Sequence, residues 1–192
     1  MPVRRLDRLR AAAPWIAATL MVAGVVHIAT ILLMPAVSRR DAFARIEALG
    51  PRATVIPVAP ARPGRELAVF NDPATAIAVC RYDLADGPLR LSAQAPGDDF
   101  VSLSFRTRDN VVFYAMTDRA ALRGAIDVVV STQDQLDATE AQDAEDSAPA
   151  ETRLVSPTRE GYVYMRSLAA TPGQAEEAAA RLRAVVCGVE AP

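Results

Sequence analysis

The stretch Val101-Ser-Leu-Ser-Phe-Arg-Thr107 decides the fold, because apolar and polar residues alternate along it with a period of two. Such alternation is typical of a β-strand with one buried face and one face in water. Short segments of similar character lie on both sides of it, separated by turn formers such as Asp86-Gly87-Pro88. The predicted strands are Leu67–Phe70, Ala76–Leu84, Leu89–Ala93, Phe100–Thr107, Val111–Met116, Ala125–Ser131, Thr152–Val155 and Gly161–Leu168.

A helix is predicted over residues 172–187. Thr171 is its N-cap, Pro172 occupies the first helical position, Gln174 completes a capping box and Gly188 follows its end. Residues 66–192 are therefore expected to form a mainly β (α+β) domain, an antiparallel β-sandwich-like structure with the C-terminal helix packed on it.

Residues 132–151 are acidic and contain no Arg. The first half is interpreted as an exposed helix after Thr132, and the second half as a solvated loop. An interaction arm or a cation-binding arm is the alternative interpretation of the whole segment.

The N-terminal region predicts a membrane anchor. No charged side chain occurs from Ala11 to Ser38, and Trp15–Met34 is long enough, at about 30 Å, to cross a bilayer as a helix. We expect a basic cytoplasmic tail over 1–13, a transmembrane helix over 14–37 and an exported domain, because arginines are slightly more abundant before the span. A signal peptide cleaved after Ala36-Val37-Ser38 is the alternative.

Residues 38–65 are expected to connect the anchor to the domain. An amphipathic helix is predicted to start at Ser38 as N-cap and to end at Gly50-Pro51. Its apolar face would contain Ala42, Phe43, Ile46 and Leu49. Four prolines over 51–65 indicate an extended linker or an edge region after it.

One face of the anchor differs from the rest. Thr19, Ala23, His27 and Thr30 recur at helical spacing and form a small and polar stripe. Small residues permit close helix approach, and Thr or His can form hydrogen bonds across it, so the stripe predicts a partner helix or self-association. A neutral imidazole bound to its own helix or to water is the alternative.

The two cysteines, Cys80 and Cys187, are predicted to form a disulfide, because an exported domain meets an oxidising compartment and the count is even. The bond would attach the terminal helix to the sheet. Two buried free thiols, as in a cytoplasmic domain, are the alternative.

The residue inventory excludes most catalytic chemistry. The chain has 192 residues, a net charge of -2 and a single His in the anchor, so a Ser–His–Asp triad or a usual zinc site cannot form in the domain. No phosphate-binding Gly-rich motif occurs, no cofactor is expected, and the charge argues against nucleic-acid binding. Carboxylates in turns remain, with Asp83 and Asp86 as candidate catalytic residues, and a calcium-type site as a further possibility.

The stretch Cys80-Arg-Tyr-Asp-Leu-Ala-Asp-Gly-Pro-Leu-Arg-Leu-Ser92, followed by Phe100-Val-Ser-Leu-Ser-Phe105, resembles the bacterial domain-of-unknown-function family 1254. In that family an Asp-Leu…Gly-Pro turn precedes a pair of strands. The matching positions are Asp83, Leu84, Gly87 and Pro88. The layout is similar to small single-pass members, with Val26-His27-Ile28 in the anchor. The resemblance implies no particular activity, since the chain lacks the upstream Asn-x-Asp-Thr-Leu-Tyr stretch of larger members and shows no companion second domain.

These observations predict a single-pass protein of the bacterial inner membrane, with the lipid bilayer as its first partner and its main domain in the periplasm. Its expected role is that of a non-catalytic binding or accessory module. A membrane-tethered hydrolase or lyase using turn carboxylates and a purely structural envelope protein are the alternatives.

Overall fold

The computed structural model describes residues 3–60, 72–95, 100–142 and 151–190; the side chains of 3–10, 35–36 and 38–42 are outside that description. The predicted strand Leu67–Phe70 and the acidic residues 143–150 lie outside the described residues. Residues 1–39 and residues 40–192 form two compact units.

A long helix precedes a β-rich domain. The elements are α1 (Val3–Glu47), β1 (Val55–Val58), β2 (Thr75–Asp83), β3 (Leu89–Gln94), β4 (Val101–Thr107), β5 (Val112–Thr117), β6 (Ala125–Ser131), α2 (Gln133–Glu140), β7 (Thr152–Val155), β8 (Glu160–Leu168), α3 (Ala175–Arg183) and β9 (Val186–Val189). Short 3₁₀ turns cover Asp118–Ala120 and Pro172–Gln174. The fold class is thus α+β, as the sequence predicts.

The strands form two sheets. The larger has the order β1-β2-β8-β4-β5 and the smaller the order β7-β6-β3-β9. Among the described strands, every pairing is antiparallel except that of β6 with β7, which is parallel. The expectation of an antiparallel domain is therefore wrong at this pair. A parallel neighbour needs a long crossover connection, and the chain between β6 and β7, which contains α2, is long enough to supply it.

The inner faces of the two sheets share one hydrophobic core. The larger sheet contributes alternate residues such as Cys80, Leu103 and Phe105, and the smaller sheet contributes residues such as Leu91 and Val128. All five are fully buried. Period-two alternation on both sheets therefore produces a sandwich-like arrangement, with side chains of α3 entering the same core.

Strand β2 is buried on both of its faces. Its six residues from Ile77 to Tyr82 are all buried. Val79 points away from the shared core and packs with Tyr162 against Phe43 and Ile46, from the last turns of α1. The Phe43 and Tyr162 rings lie 6.4 Å apart between centroids. The buried positions predicted for the connecting helix at Phe43 and Ile46 are thus confirmed, whereas the prediction is wrong at Leu49, which is 39% exposed.

Two boundaries predicted from the sequence are wrong. Ser38 is not an N-cap, because α1 continues without interruption through it to Glu47. The proline-containing segment, predicted as an extended linker or an edge region, contains the edge strand β1, whose Val55–Val58 pairs with Ile77–Cys80 despite Pro57 in its middle. The C-terminal helix ends at Arg183 rather than at 187, because Val186–Val189 pairs with Leu89–Ser92 as β9.

Strand β4 does not have the wet face that its alternation predicts. Ser102 and Ser104 are 6% and 7% exposed. Across the strand pair they lie opposite Arg166 and Tyr164 of β8, whose larger side chains share the same face. The larger side chains of β8 therefore cover Ser102 and Ser104, although the two serines do not belong to the hydrophobic core.

The predicted disulfide is confirmed. Cys80 of β2 is bonded to Cys187 of β9, with their Cα atoms 6.6 Å apart and 107 positions apart in sequence. Since β2 and β9 belong to different sheets, the bond joins the two layers of the domain. It attaches the C-terminal strand to the core; the terminal helix that precedes this strand contacts β2 and β8 directly.

Tyr82 provides a test of this packing, because its ring is 2% exposed and its hydroxyl lies 3.1 Å from Ser156 Oγ. The opposite residue is Gly161, where a Cβ would overlap both the Tyr82 hydroxyl and the Arg106 carbonyl oxygen. Burial raises the pKa of Tyr82 to about 12. The native state thus retains a proton that the unfolded chain loses near pH 10.

We therefore predict that stability is fully present below pH 10 and is lost as the pH rises toward 12, by at most about 1.4 kcal/mol per pH unit for this one proton. Urea unfolding of the full chain in mild detergent at pH 9, 10 and 11 measures the slope. A Tyr82→Phe variant should show a shallower loss, and an identical slope in both proteins would contradict the assignment.

Candidate functional site

The two predicted carboxylates, Asp83 and Asp86, converge on one cation. Arg52 Nη1 lies 2.8 Å from Asp83 Oδ2 and 3.6 Å from Asp86 Oδ2, and Arg52 Nη2 lies 3.9 Å from Glu160 Oε1. Arg52 reaches this position from the turn that precedes β1, while Asp83 ends β2 and Glu160 begins β8. The two candidate carboxylates thus lie around one guanidinium.

The geometry gives Asp83 a structural role. Its Oδ1 accepts a hydrogen bond from the Ala85 amide at 3.0 Å, and its carbonyl oxygen accepts another from the Asp86 amide at 3.0 Å. These bonds close the turn that leads to Gly87. A carboxylate with both oxygens engaged is poorly placed to accept a proton from a substrate, whereas Asp86 is 55% exposed on its side chain.

A polar cleft of about 420 Å³ lies beside this turn, between the end of β6, helix α2 and β7. Asp86 lines it together with Glu151, Arg153 and Glu190, but Asp83 does not. Glu151 is paired with Arg153 at 2.8 Å, and Glu190 with Arg90 at 2.9 Å. Among the described residues, no group of three or more His, Cys, Asp or Glu side chains is arranged to hold a metal ion.

A second cleft, of about 500 Å³, is mainly apolar. It lies between the end of β1, the start of β2 and helix α3, and charged side chains stand at Asp72, Glu176 and Arg183. Its apolar lining includes Pro57, Val58, Ala76, Ile77, Ala179 and Leu182. Its volume falls within the usual range of small-molecule sites.

Sequence reasoning missed this apolar cleft. Its floor requires the position of β1, which the sequence leaves open between a linker and an edge region, and its opposite wall requires the position of α3. The alanine content of α3 was the sequence signal that could have indicated a cleft. Ala175 and Ala179 are too short to fill the space beside β1.

The outer face of the larger sheet carries aromatic and arginine side chains. The guanidinium of Arg106 lies 5.6 Å from the Tyr164 ring centroid, and that of Arg108 lies 4.9 Å from the Phe43 ring centroid. Burial raises the pKa of Tyr164. Arg81, only 7% exposed, donates hydrogen bonds to the Glu47 carboxylate and the Gly50 carbonyl oxygen. These contacts cover β2 and β8 rather than forming an open site.

The polar stripe predicted on the N-terminal helix α1 is not covered by other residues. Thr19 and Thr30 each donate a hydrogen bond of 2.8 Å to the carbonyl oxygen four residues earlier. Ala23 and His27 are exposed between them. The threonine hydroxyls are therefore satisfied within α1, and a role for the stripe in helix association stays a prediction.

Comparisons with known proteins support the fold alone. No family model matches the chain, and no curated protein matches it. A crystal structure of the VPA0106 protein from Vibrio parahaemolyticus is similar, with a TM-score of 0.55 and 14% identity over 79% of this chain and 35% of that one. An uncharacterised protein from Burkholderia cenocepacia gives a TM-score of 0.39 and 16% identity, over 60% of this chain and 32% of the other. The chain spans about a third of each. The resemblance to family 1254 stays a prediction.

The structural role of Asp83 predicts different effects for two substitutions. Asp83→Asn keeps an oxygen for the Ala85 amide and loses only a partly exposed ion pair, so we expect a loss of stability of about 1 kcal/mol or less. Asp83→Ala removes the turn hydrogen bond as well and should cost about 1 kcal/mol more. Urea unfolding measures both, with Asp86→Asn as the exposed control, and equal effects of the two Asp83 variants would contradict the role.

Proposed function

We propose that the protein is a single-pass protein of the bacterial inner membrane whose domain, in the periplasm, is a non-catalytic binding or accessory module. The observation that carries this proposal is helix α1, where Ala11–Met34 forms 24 residues apolar enough to cross a membrane, and none of this span is buried among the described residues. At 1.5 Å per residue this length is about 36 Å, against a hydrocarbon core of about 30 Å.

Burial elsewhere in the chain does not explain the apolar composition of α1. Large side chains such as Trp15, Leu20 and Leu32 are 78%, 68% and 73% exposed. Exposure of a continuous apolar surface to water costs free energy in proportion to its area, and a lipid bilayer removes that cost. The bilayer is therefore the proposed first partner, with a partner helix or a second anchor at the His27 stripe as a further candidate.

The disulfide supports export of the domain. Bonds of this kind persist in the periplasm and are rare in the cytosol, where thiols are kept reduced. Arg4, Arg5, Arg8 and Arg10 precede the span and favour a cytoplasmic N-terminus. The arginines before the span and the disulfide thus both favour a cytoplasmic N-terminus with the domain in the periplasm.

The apolar cleft supports the binding role. Its alanine, proline and leucine lining fits an apolar small molecule or an apolar segment of an envelope partner, and the charged side chains at its edge would orient a polar end. A hydrolase or lyase using Asp83 and Asp86 is the alternative, favoured only by the position of Asp86 in the polar cleft. A purely structural envelope protein is the third candidate, and it would need neither cleft.

The orientation predicts which reporter cysteines a membrane-impermeant maleimide reaches. Ala138→Cys lies on the exposed surface of α2, and Val3→Cys lies in the N-terminal tail. In spheroplasts with an intact inner membrane, the reagent should label Ala138→Cys at once and Val3→Cys only after lysis. The reverse pattern would contradict the proposal, as would labelling of both or of neither before lysis.

The binding role predicts that an apolar ligand occupies the cleft beside α3. A trifluoromethylphenyl diazirine probe, photolysed with the full chain in native membranes, should modify the peptide that contains Ala175–Arg183. Ala179→Trp fills the cleft and should reduce this labelling at least tenfold, because the bulky ring displaces the probe. The matched Ala138→Trp variant on exposed α2 should leave it unchanged, and equal labelling in both variants would exclude the cleft as the site.

A further inference from the structure

The end of α1 packs on β2 and β8, on the outer face of the larger sheet, and this face continues across β8, β4 and β5. Directly paired residues of neighbouring strands point to the same face, so the register gives three rows of side chains. The rows are Arg166 with Ser102 and Thr117, Tyr164 with Ser104 and Ala115, and Tyr162 with Arg106 and Val112. These nine residues include two arginines and no carboxylate.

The two arginines of this surface have no carboxylate partner within the described part of the chain. Arg106 donates a hydrogen bond of 2.7 Å to the neutral side-chain oxygen of Asn110, and its guanidinium leans over the Tyr164 ring. Arg166 is exposed and forms neither a hydrogen bond nor an ion pair with a described residue. Burial raises the pKa of Tyr164, and the charges of Arg166 and Arg106 both oppose this rise. The two positive charges therefore act on one region of the sheet, around Tyr164.

Two serines lie along β4 between these arginines. Ser102 and Ser104 are only 6% and 7% exposed, and their hydroxyls form no hydrogen bond with a described residue. Neither hydroxyl oxygen is sealed from the surface. A polar group covered to this extent ordinarily has a hydrogen-bond partner, because its removal from water costs free energy. The two hydroxyls are therefore donors available to a ligand that approaches the outer face.

Donors of this kind favour an anion with several oxygens. A guanidinium can donate two parallel N–H bonds to a phosphate or a carboxylate. A phosphoryl group has three strong acceptor oxygens, so it can accept bonds from both arginines and from a serine at once, whereas a carboxylate has only two oxygens.

We propose that Arg106, Arg166, Ser102 and Ser104 form a binding site for a phosphoryl group. The site goes beyond the binding role of the apolar cleft, because none of these four residues lines that cleft. A phosphate ester in solution and the headgroup of an anionic phospholipid both carry the group that the site recognises. The test below separates these two sources.

A reporter cysteine at position 115 measures occupancy, because Ala115 is exposed and lies opposite Ser104. Cys80 and Cys187 are bonded to each other, so Ala115→Cys supplies the reactive thiol. Glycerol 3-phosphate at about ten times its dissociation constant leaves about a tenth of the sites free. In the full chain in nonionic micelles, it should therefore slow maleimide labelling about tenfold relative to sodium chloride of equal ionic strength. The exposed Ala138→Cys on α2 should be labelled at the same rate in both.

Nanodiscs provide the lipid arm of the test. Labelling of Ala115→Cys in the full chain is compared between phosphatidylglycerol and phosphatidylcholine discs without soluble phosphate. Protection by glycerol 3-phosphate in micelles supports the site with a soluble ester as its ligand. Protection by phosphatidylglycerol alone supports it with a lipid headgroup as its ligand. No protection in either arm would overturn the proposal, whereas the apolar cleft, which is tested by its own probe, would be unaffected.

Arginine substitutions in the Ala115→Cys background test which residues hold the ligand. Arg106→Gln and Arg166→Gln each remove a charged donor, so each should raise the ligand concentration for half protection about tenfold or more. Arg123→Gln, at an exposed turn before β6, is the matched control and should leave it unchanged. Circular dichroism verifies folding, and because Arg166 is exposed, its variant tests the site even where Arg106→Gln alters the fold. Equal protection in Arg166→Gln and Arg123→Gln would overturn the proposal.

Discussion

The bond between Cys80 and Cys187 is the constraint on which the rest of the domain depends. It joins the larger sheet to the smaller one across the shared core. In the chain-entropy model, closing a loop of this size stabilises the native state by about 4–5 kcal/mol. The total stability of a typical domain is only about 5–15 kcal/mol, so oxidation supplies a substantial part of it.

The position of that bond on β2 organises the other contacts. Cys80 and Tyr82 face the shared core, whereas Val79 and Arg81 face the end of α1. A buried arginine needs partners for its charge, and Glu47 and Gly50 accept hydrogen bonds from the two Nη atoms of Arg81. Strand β2 ends at Asp83, and the chain then reaches the surface in the turn where Asp83 forms an ion pair with Arg52. The strand thus connects the end of the long helix, the core and the carboxylate turn.

Much of this arrangement could be predicted from local patterns. Period-two alternation located seven of the strands, and the capping residue Thr132 located α2, because both signals depend on neighbours in sequence. The single pair of cysteines likewise indicated the disulfide.

The features that could not be predicted depend on partners distant in sequence. Val185 to Cys187 reads as the end of a helix until β3 is available to pair with it, and β1 forms around Pro57 because β2 offers an unpaired edge. The role of Asp83 depends on Arg52, 31 residues earlier, and the apolar cleft depends on the packing of α3.

The redox state of Cys80 and Cys187 in growing cells tests the central claim most directly, because a disulfide-bonded exported domain and a reduced cytoplasmic one differ there. Cells are quenched with acid, free thiols are blocked with N-ethylmaleimide, and the denatured protein is then reduced and treated with a polyethylene-glycol maleimide. For a disulfide-bonded domain we expect a gel shift of two tags on the full-length chain, and no shift when reduction is omitted. If N-ethylmaleimide blocks both thiols before reduction, so that no tag is added afterwards, the result would contradict the disulfide and the export of the domain.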